Sequence, residues 1–239
     1  MLVAKLTLKD RLLAQRIYLI LGALFIASLV VSNLIFQKFF SFDFFGIYTF
    51  ELSVGILPYP ITFLITDIIS EVYGKRKANQ VVTAGIFASV FSMGIIYLSS
   101  AVPATEWSPV SDRLFDKVFG ATVVAVFASM MAYLLAQYID ISIFHFWKRL
   151  TRGKHLWLRN NFSTFLSQFV DTFTVLVLLC SFGKIEWHLF AGLLLSGFLF
   201  KVMVAATDTP FLYAAVYVLR RRFGLKIGEE IDLEKEETK

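Results

Sequence analysis

The sequence has 239 residues, of which 57% are hydrophobic and only 17% are charged, and its mean hydropathy is +0.70. These values lie far outside the range of soluble domains and indicate a membrane protein. The single cysteine excludes an internal disulfide and a cysteine metal cluster. We interpret the net charge of +5 as a signal of membrane topology and not of nucleic-acid binding.

Six apolar runs are long enough to cross a bilayer, which needs about 20 helical residues. They cover residues 17–36, 52–71, 81–102, 118–139, 162–182 and 188–219. The pattern predicts an all-α membrane protein whose single transmembrane domain, 17–220, lies between a cytoplasmic N-terminal segment, 1–16, and an acidic cytoplasmic tail, 221–239. We expect the acidic end of the tail, EEIDLEKEETK at 229–239, to be solvated and disordered.

The first run follows a basic start, as a secretory signal would, but it is too long and has no cleavage site. We therefore expect an uncleaved first span. Asn33 lies near its outer end, where the amide could cap or pack, or could bind a ligand.

Prolines interrupt the start of the second run, at Pro58 and Pro60. A proline removes a helical hydrogen bond, so the stretch from Gly55 to Pro60 is expected to be unwound. Irregular backbone at membrane depth is tolerated where it lines a cavity, and the sequence therefore predicts a cavity here.

Two carboxylates, Asp67 and Glu71, lie near the end of the second run. Glu71 could pair with Lys75, four residues on, and anchor the helix end. Asp67 has no basic neighbour on its own helix face. Asp67 is therefore expected either to form an ion pair with a residue of another helix or to bind a ligand or a proton.

The segments AQYID, 136–140, and SQFVD, 167–171, each place a Gln and an Asp three residues apart on one helix face. Asp171 lies about 15 Å past Asn161 along the helix, near the middle of the bilayer. We expect Asp140, close to a basic loop, to be an interface charge that balances Lys148 or Arg149.

The last run separates Trp187 from Arg220 by 33 residues, about 50 Å of helix. We predict one long span, kinked at Pro210, in preference to two short ones.

Lys201 is the only cation inside a predicted span, and a buried lysine needs an acid. Asp171, Asp67 or Asp208 could supply that acid, and we expect Asp171 and Lys201 to lie on neighbouring spans and, with Gln168, to form the centre of a substrate path.

The number of basic residues alternates between high and low in successive segments that flank the predicted spans. Eighteen flank the predicted cytoplasmic ends: Lys5, Lys9, Arg11, Arg16, Lys75, Arg76, Lys77, Lys148, Arg149, Arg152, Lys154, Arg159, Arg220, Arg221, Arg222, Lys226, Lys235 and Lys239. The intervening loops hold four, Lys38, Arg113, Lys117 and Lys184. Because cytoplasmic flanks collect positive charge, both termini are predicted to be cytoplasmic.

Enzymatic chemistry has little support in the sequence. It contains no GxxxxGK[ST] nucleotide-binding motif and no HExxH zinc motif. We expect His145, His155 and His188 to have ordinary solvated roles in loops or at interfaces. An intramembrane enzyme is thus the least favoured class, and we expect no metal and no cofactor.

Two motifs resemble those of the bacterial queuosine precursor transporters, a family earlier described as vitamin uptake transporters. The first is PYPITFLITDIISEVYGKRKA, which matches at Pro60, Asp67, Glu71, Tyr73, Gly74 and Lys75. The second comprises SNLIFQK and LWLRNNFSTFLSQFVDTFTV, which match at Asn33, Lys38, Arg159, Asn160, Ser163, Gln168, Asp171 and Thr172. The resemblance extends over residues 16 to 220.

The resemblance implies a multi-pass secondary transporter of the bacterial inner membrane that takes up 7-cyano-7-deazaguanine, 7-aminomethyl-7-deazaguanine or both for tRNA modification, without contacting nucleic acid. One carboxylate can accept both N–H groups of a guanine-like edge, and aromatic rings can stack on the base. We expect substrate contacts from Asn33, Asp67, Glu71, Gln168, Asp171 and Lys201, with Pro60, Tyr73, Arg159, Ser163, Asp208 and Pro210 in supporting or gating roles. The alternative is a substrate-binding membrane subunit for a vitamin-like molecule that needs a separate ATPase. The sequence leaves the coupling ion and a homo-oligomer open.

Overall fold

Seven α-helices and four short strands make up the described part of the chain. The computed structural model describes residues 2–3, 6–35, 38–46, 48–120, 123–152, 154–183 and 186–233. The helices are α1 (Leu8–Ile35), α2 (Tyr59–Val72), α3 (Gly74–Ser100), α4 (Asp112–Phe115), α5 (Val123–Leu150), α6 (Leu156–Ser181) and α7 (Phe190–Phe223). The strands are β1 (Leu2–Val3), β2 (Phe39–Phe44), β3 (Tyr48–Ser53) and β4 (Glu229–Glu230).

The helices confirm the all-α membrane fold. Five helical segments are long and apolar enough to span a bilayer: Leu8–Ile35, Val54–Val72, Gly74–Ser100, Leu156–Ser181 and Trp187–Phe223. The 28-residue α5 is a sixth long helix, about 42 Å in length. The protein is therefore a multi-pass membrane protein, and several helices extend beyond the apolar runs that predicted them.

The second span is irregular over part of the predicted stretch, Gly55 to Pro60, but Tyr59 and Pro60 are already the first residues of α2. A 3₁₀ turn, Val54–Ile56, precedes α2, whose 14 residues cover only about 21 Å. The backbone of Gly55 is satisfied from outside the helix, since its N–H donates to the Ser53 hydroxyl at 3.1 Å and its carbonyl accepts from Ser32. These bonds allow an irregular backbone inside the membrane domain.

α7 confirms the prediction of one long final span. Its 34 residues run without a break from Phe190 to Phe223 and include Pro210. The helix ends at Gly224, whose φ of 64° lies in the left-handed region that suits a glycine cap. The predicted kink at Pro210 stays a prediction.

A β-hairpin between α1 and α2 was not predicted from the sequence. β2 and β3 pair antiparallel, with Phe42 opposite Phe50. Their turn contains Phe45 and Gly46, both at positive φ. Phe50 is buried and its ring lies 5.5 Å from that of Phe200, so the hairpin packs on α7. The alternating pattern FSFDF was the signal in the sequence.

The expectation of a solvated, disordered tail is wrong for the residues up to Leu233. β4 pairs in parallel with β1, and Ile231 and Leu233 are buried in the core. The Ile231 N–H donates to the carbonyl of Val72 at 2.8 Å, and Arg11 donates to the carbonyl of Leu233 at 2.7 Å. The two ends of the described chain therefore lie on the same side of the helix bundle. Residues 234–239 are outside the described part.

Candidate functional site

One face of α2 organises the buried polar residues of the bundle. Tyr59, Asp67 and Glu71 occur along it at intervals of about 12 Å and about 6 Å. Each meets polar residues from α5, α6 or α7. Tyr59 bonds to Asp171 and Glu71 pairs with Arg159, so these two partners on α6 occur in the reverse order along the chain. α2 and α6 therefore run antiparallel, and their polar residues fall at three depths.

The first depth is the Tyr59 cluster, which consists of Tyr59, Asp171 and Lys201. The Asp171 Oδ2 atom accepts from Lys201 Nζ at 2.5 Å and from the Tyr59 hydroxyl at 2.6 Å. Lys201 Nζ also lies 4.6 Å from the centre of the Tyr59 ring. The predicted contact between Asp171 and Lys201 on neighbouring helices is confirmed, and Asp171 is the acid that Lys201 needed. Tyr59 was missed, because a tyrosine near a helix end is common and carries no separate signal.

The second depth is the acid pair, Asp67 and Asp140. Their carboxyl groups face each other across α2 and α5, between the Thr66–Gln137 hydrogen bond and the Glu71–Lys148 ion pair. Both residues are buried, and Asp67 Oδ1 and Asp140 Oδ2 have no hydrogen-bond donor among the described residues. Asp140 Oδ1 also accepts from the Ser167 hydroxyl at 3.0 Å. The prediction that Asp140 is an interface charge balancing Lys148 or Arg149 is therefore wrong: α5 turns Asp140 into the bundle, towards α2 and α6.

The third depth is the cation cluster, in which Glu71 meets Lys148, Arg159 and Arg220. Arg159 Nη2 lies 3.0 Å and Lys148 Nζ 3.4 Å from Glu71 Oε2, while Arg220 pairs with Oε1. Lys148 also donates to the Glu71 carbonyl at 2.9 Å and to Glu230 at 2.9 Å. It thereby satisfies both the negative end of α2 and the C-terminal segment.

The suggested pairing of Glu71 with Lys75 is wrong. Gly74 has a φ of 83°, so the helix breaks between the two residues and the four-residue spacing no longer places them on one face. Lys75 instead donates to the Ser142 hydroxyl on α5 at 3.2 Å.

A chain of hydroxyls and one amide joins α2 to α5 between the Tyr59 cluster and the acid pair. Gln137 Nε2 donates to the Tyr133 hydroxyl at 2.8 Å, and that hydroxyl donates to Thr62. Thr66 donates to Gln137 Oε1 at 3.1 Å. The sequence singled out Gln137 only within AQYID. Its partners Tyr133 and Thr66 were not predicted, since single threonines and tyrosines are frequent in membrane helices.

A small cavity of about 20 Å³ lies beside the Tyr59 cluster. Its wall is formed by Ile56, Tyr59, Pro60, Phe63, Thr164, Gln168, Phe200, Lys201, Val204, Ala205 and Asp208. The unwound stretch before α2 contributes Ile56, so the predicted cavity at this stretch is confirmed. The volume is enough for about one water molecule and far too small for a bicyclic base.

Pro60, Gln168, Lys201 and Asp208 are the candidate residues that line the cavity. Asp171 lies directly behind Lys201. Asp67 and Glu71 belong to the deeper acid pair and cation cluster, and Arg159 belongs to the cation cluster.

The remaining candidate residues lie outside the cavity wall. Asn33 is partly buried on α1, and its amide nitrogen has no hydrogen-bond partner among the described residues. Tyr73 donates to the carbonyl of Ala14 at 2.9 Å and so ties the end of α2 to α1. Ser163 donates to the carbonyl of Asn160 at 3.1 Å and lies beside Asp140. Pro210 is an exposed residue of α7.

The expectation of a solvated histidine fails at His145. This residue lies on α5 and is only 3% exposed, with its ring 5.7 Å from that of Phe144. His188, in contrast, is exposed and lies 3.0 Å from Glu186.

Comparison with known proteins gives a consistent assignment. The family model described as "Putative vitamin uptake transporter" matches residues 53–215, which include the cavity wall and all three polar depths except Arg220. No solved structure matches the chain.

Curated relatives match over a similar region. A protein of Bacillus subtilis (strain 168) named "Probable queuosine precursor transporter" is 28% identical over 167 residues, which is 68% of this chain and 71% of the relative. The "Queuosine precursor transporter" of Escherichia coli (strain K12) is 27% identical over 52% of each chain, so this match spans about half of that relative. Because the family model covers well over half of the sequence, the chain belongs to the vitamin uptake transporter family that this model describes.

Proposed function

We propose that this protein takes up queuosine precursors, 7-cyano-7-deazaguanine, 7-aminomethyl-7-deazaguanine or both, across the bacterial cytoplasmic membrane. The names of the relatives support this substrate class, and the family supports transport. The buried polar residues on four helices support a substrate path through the bundle.

The observation that carries the proposal is a pair of buried acceptors without donors. Gln168 Oε1 and Asp171 Oδ1 have no hydrogen-bond partner among the described residues, although both residues are buried. A buried acceptor without a donor is costly. The guanine-like edge of a 7-deazaguanine presents a ring N–H and an exocyclic amino group, which are the donors that these two oxygens lack.

The cavity wall also suits a flat ring. Tyr59, Phe63 and Phe200 contribute aromatic surface, and Lys201 contributes a donor that the carbonyl oxygen of the base could accept. In our proposal the base lies between these rings, with its polar edge towards Gln168 and Asp171.

We infer that the present conformation is closed to the substrate, because the cavity has room for about one water molecule. Binding would require α7 to move away from the start of α2, which enlarges the space between Tyr59 and Lys201. The cation cluster joins α2, α5, α6 and α7 at one end of the bundle and would act as a gate whose ion pairs separate when that end opens.

The test is uptake in a bacterial strain that cannot make the precursor and carries this protein as its only uptake route. We expect accumulation of labelled 7-deazaguanine and restored queuosine in tRNA at low external precursor. Asp171→Asn should abolish both, because it replaces an acceptor with a donor, while Asp116→Asn at an exposed position should have no effect. Normal membrane abundance without any restoration would refute the substrate assignment.

A further inference from the structure

The acid pair consists of two buried carboxyl groups that form no ion pair with a cation among the described residues. Asp67 is 2% exposed and Asp140 is fully buried. Among the described residues, no lysine or arginine forms an ion pair with either carboxyl group. The two groups face each other across α2 and α5, and Asp67 Oδ1 and Asp140 Oδ2 are buried without a hydrogen-bond donor among the described residues.

A carboxylate is only an acceptor, so two carboxyl groups can hydrogen-bond to each other only if one of them is protonated. Two desolvated negative charges in contact would also repel each other strongly. The Ser167 hydroxyl lies 3.0 Å from Asp140 Oδ1 and 3.0 Å from the Thr164 carbonyl, so it leaves the contact between the two carboxyl groups in place. The pair therefore shares one proton.

The surroundings reinforce one bound proton. The ionisable and polar groups that act on the pair are Glu71 on α2, Tyr133 on α5, Ser163, Thr164 and Ser167 on α6, and Asp208 on α7. The nearest cations, Lys148 on α5, Arg159 on α6 and Arg220 on α7, are bonded to Glu71 one turn away. The helices α1 and α3 carry charged residues only near their starts. The cation cluster carries more positive than negative charge, but its three cations are held by Glu71 and Glu230, and none of them pairs with Asp67 or Asp140.

The pair is also connected to the cavity. Thr164 and Asp208 both line the cavity, and the Ser167 hydroxyl lies 3.0 Å from both the Thr164 carbonyl and Asp140 Oδ1. A ligand that enters this space changes the polarity and hydration next to both carboxyl groups. Movement of α7, which carries Asp208, would do the same.

We propose that Asp67 and Asp140 form a proton-binding site and that transport is coupled to one proton carried by this pair. A water-borne proton binds to the pair when the site faces the exterior, and the pair releases it to water when the site faces the cytoplasm. The coupling part of this inference rests on the proposed uptake function, whereas the shared proton does not.

The shared proton is tested on the purified protein in lipid nanodiscs by infrared spectroscopy. At neutral pH the wild type should display the C=O stretch of a protonated carboxyl group. Asp67→Asn should remove that band, and Asp116→Asn at an exposed position should keep it. A wild-type spectrum without a protonated carboxyl band, or a band that survives in Asp67→Asn, would overturn the proton site, whatever the substrate.

Coupling is tested in proteoliposomes with labelled 7-cyano-7-deazaguanine. Counterflow at equal pH on both sides measures binding and exchange alone. Accumulation under an acid-outside gradient, abolished by a protonophore, measures coupling. We expect the wild type to do both, and Asp67→Asn, which resembles the protonated acid, to keep counterflow but to lose at least tenfold in gradient-driven accumulation, while Asp116→Asn behaves as wild type.

The outcomes separate the two proposals. Counterflow without a response of accumulation to the pH gradient would overturn proton coupling and leave the transport proposal intact. Absence of counterflow in the wild type would refute the proposed substrate, and the infrared measurement would still decide whether the acid pair holds a proton.

Discussion

The Nζ atom of Lys201 on α7 lies 2.5 Å from the Oδ2 atom of Asp171 on α6, and the Tyr59 hydroxyl donates to the same oxygen. This arrangement gives the one cation inside the predicted spans a charged partner at its own depth. Lys201 is part of the cavity wall and Asp171 lies behind it, so structural and substrate roles can be separated by mutation.

Removing one member of the Asp171–Lys201 pair should destabilise the protein, because breaking a desolvated pair costs about 3–5 kcal/mol. Asp171→Asn and Lys201→Met should each lower membrane abundance, and the double variant should recover it. Uptake should stay absent in the double variant, since the acceptor for substrate is gone. Quantitative immunoblotting and uptake assays would measure both effects, and normal uptake by the double variant would limit the pair to a structural role.

Glu71→Gln should lower the thermal unfolding midpoint in detergent. The change removes the charge of the carboxylate that Lys148, Arg159 and Arg220 share and leaves their charges poorly compensated, at a cost of about 3–5 kcal/mol. Lys75→Ala is the matched comparison and should shift the midpoint little, because Lys75 bonds only to Ser142 at an exposed position. Equal losses in the two variants would argue against the cation cluster.

Ile231→Ala should destabilise the protein by about 2–5 kcal/mol, the usual cost of truncating a buried isoleucine. Ile231 is 2% exposed, whereas Ile227, four residues earlier in the same segment, is 62% exposed. Ile227→Ala should therefore change the unfolding free energy by no more than about 0.5 kcal/mol. Denaturant unfolding in detergent compares the two, and an equal effect would mean that the C-terminal segment does not pack on the bundle.

Reporter fusions at the two ends of the chain should both indicate a cytoplasmic location. The reason is the charge asymmetry, together with the pairing of β1 and β4, which keeps both ends on one side of the bundle. A reporter that is active outside the membrane at either terminus would contradict the predicted orientation.

The fold class and the long apolar helices were predictable from the sequence, because the apolar length that a bilayer requires is a local property of the chain. The Asp171–Lys201 contact was also predictable, since Lys201 had few acids at a comparable depth. Gly55 to Pro60 predicted an irregular, cavity-lining stretch for an equally local reason, the missing N–H groups of the prolines.

The partners of Asp67, Glu71 and Asp140 were decided only by the tertiary structure. Sequence spacing suggested Lys75 for Glu71, but the positive φ of Gly74 ends that helical register, and three cations from three other helices take its place. Asp140 could be assigned to the basic interface or to the interior only once the rotation of α5 about its axis was known. Hydropathy determines which segments enter the membrane, whereas the packing of one helix against another determines which charges meet inside it.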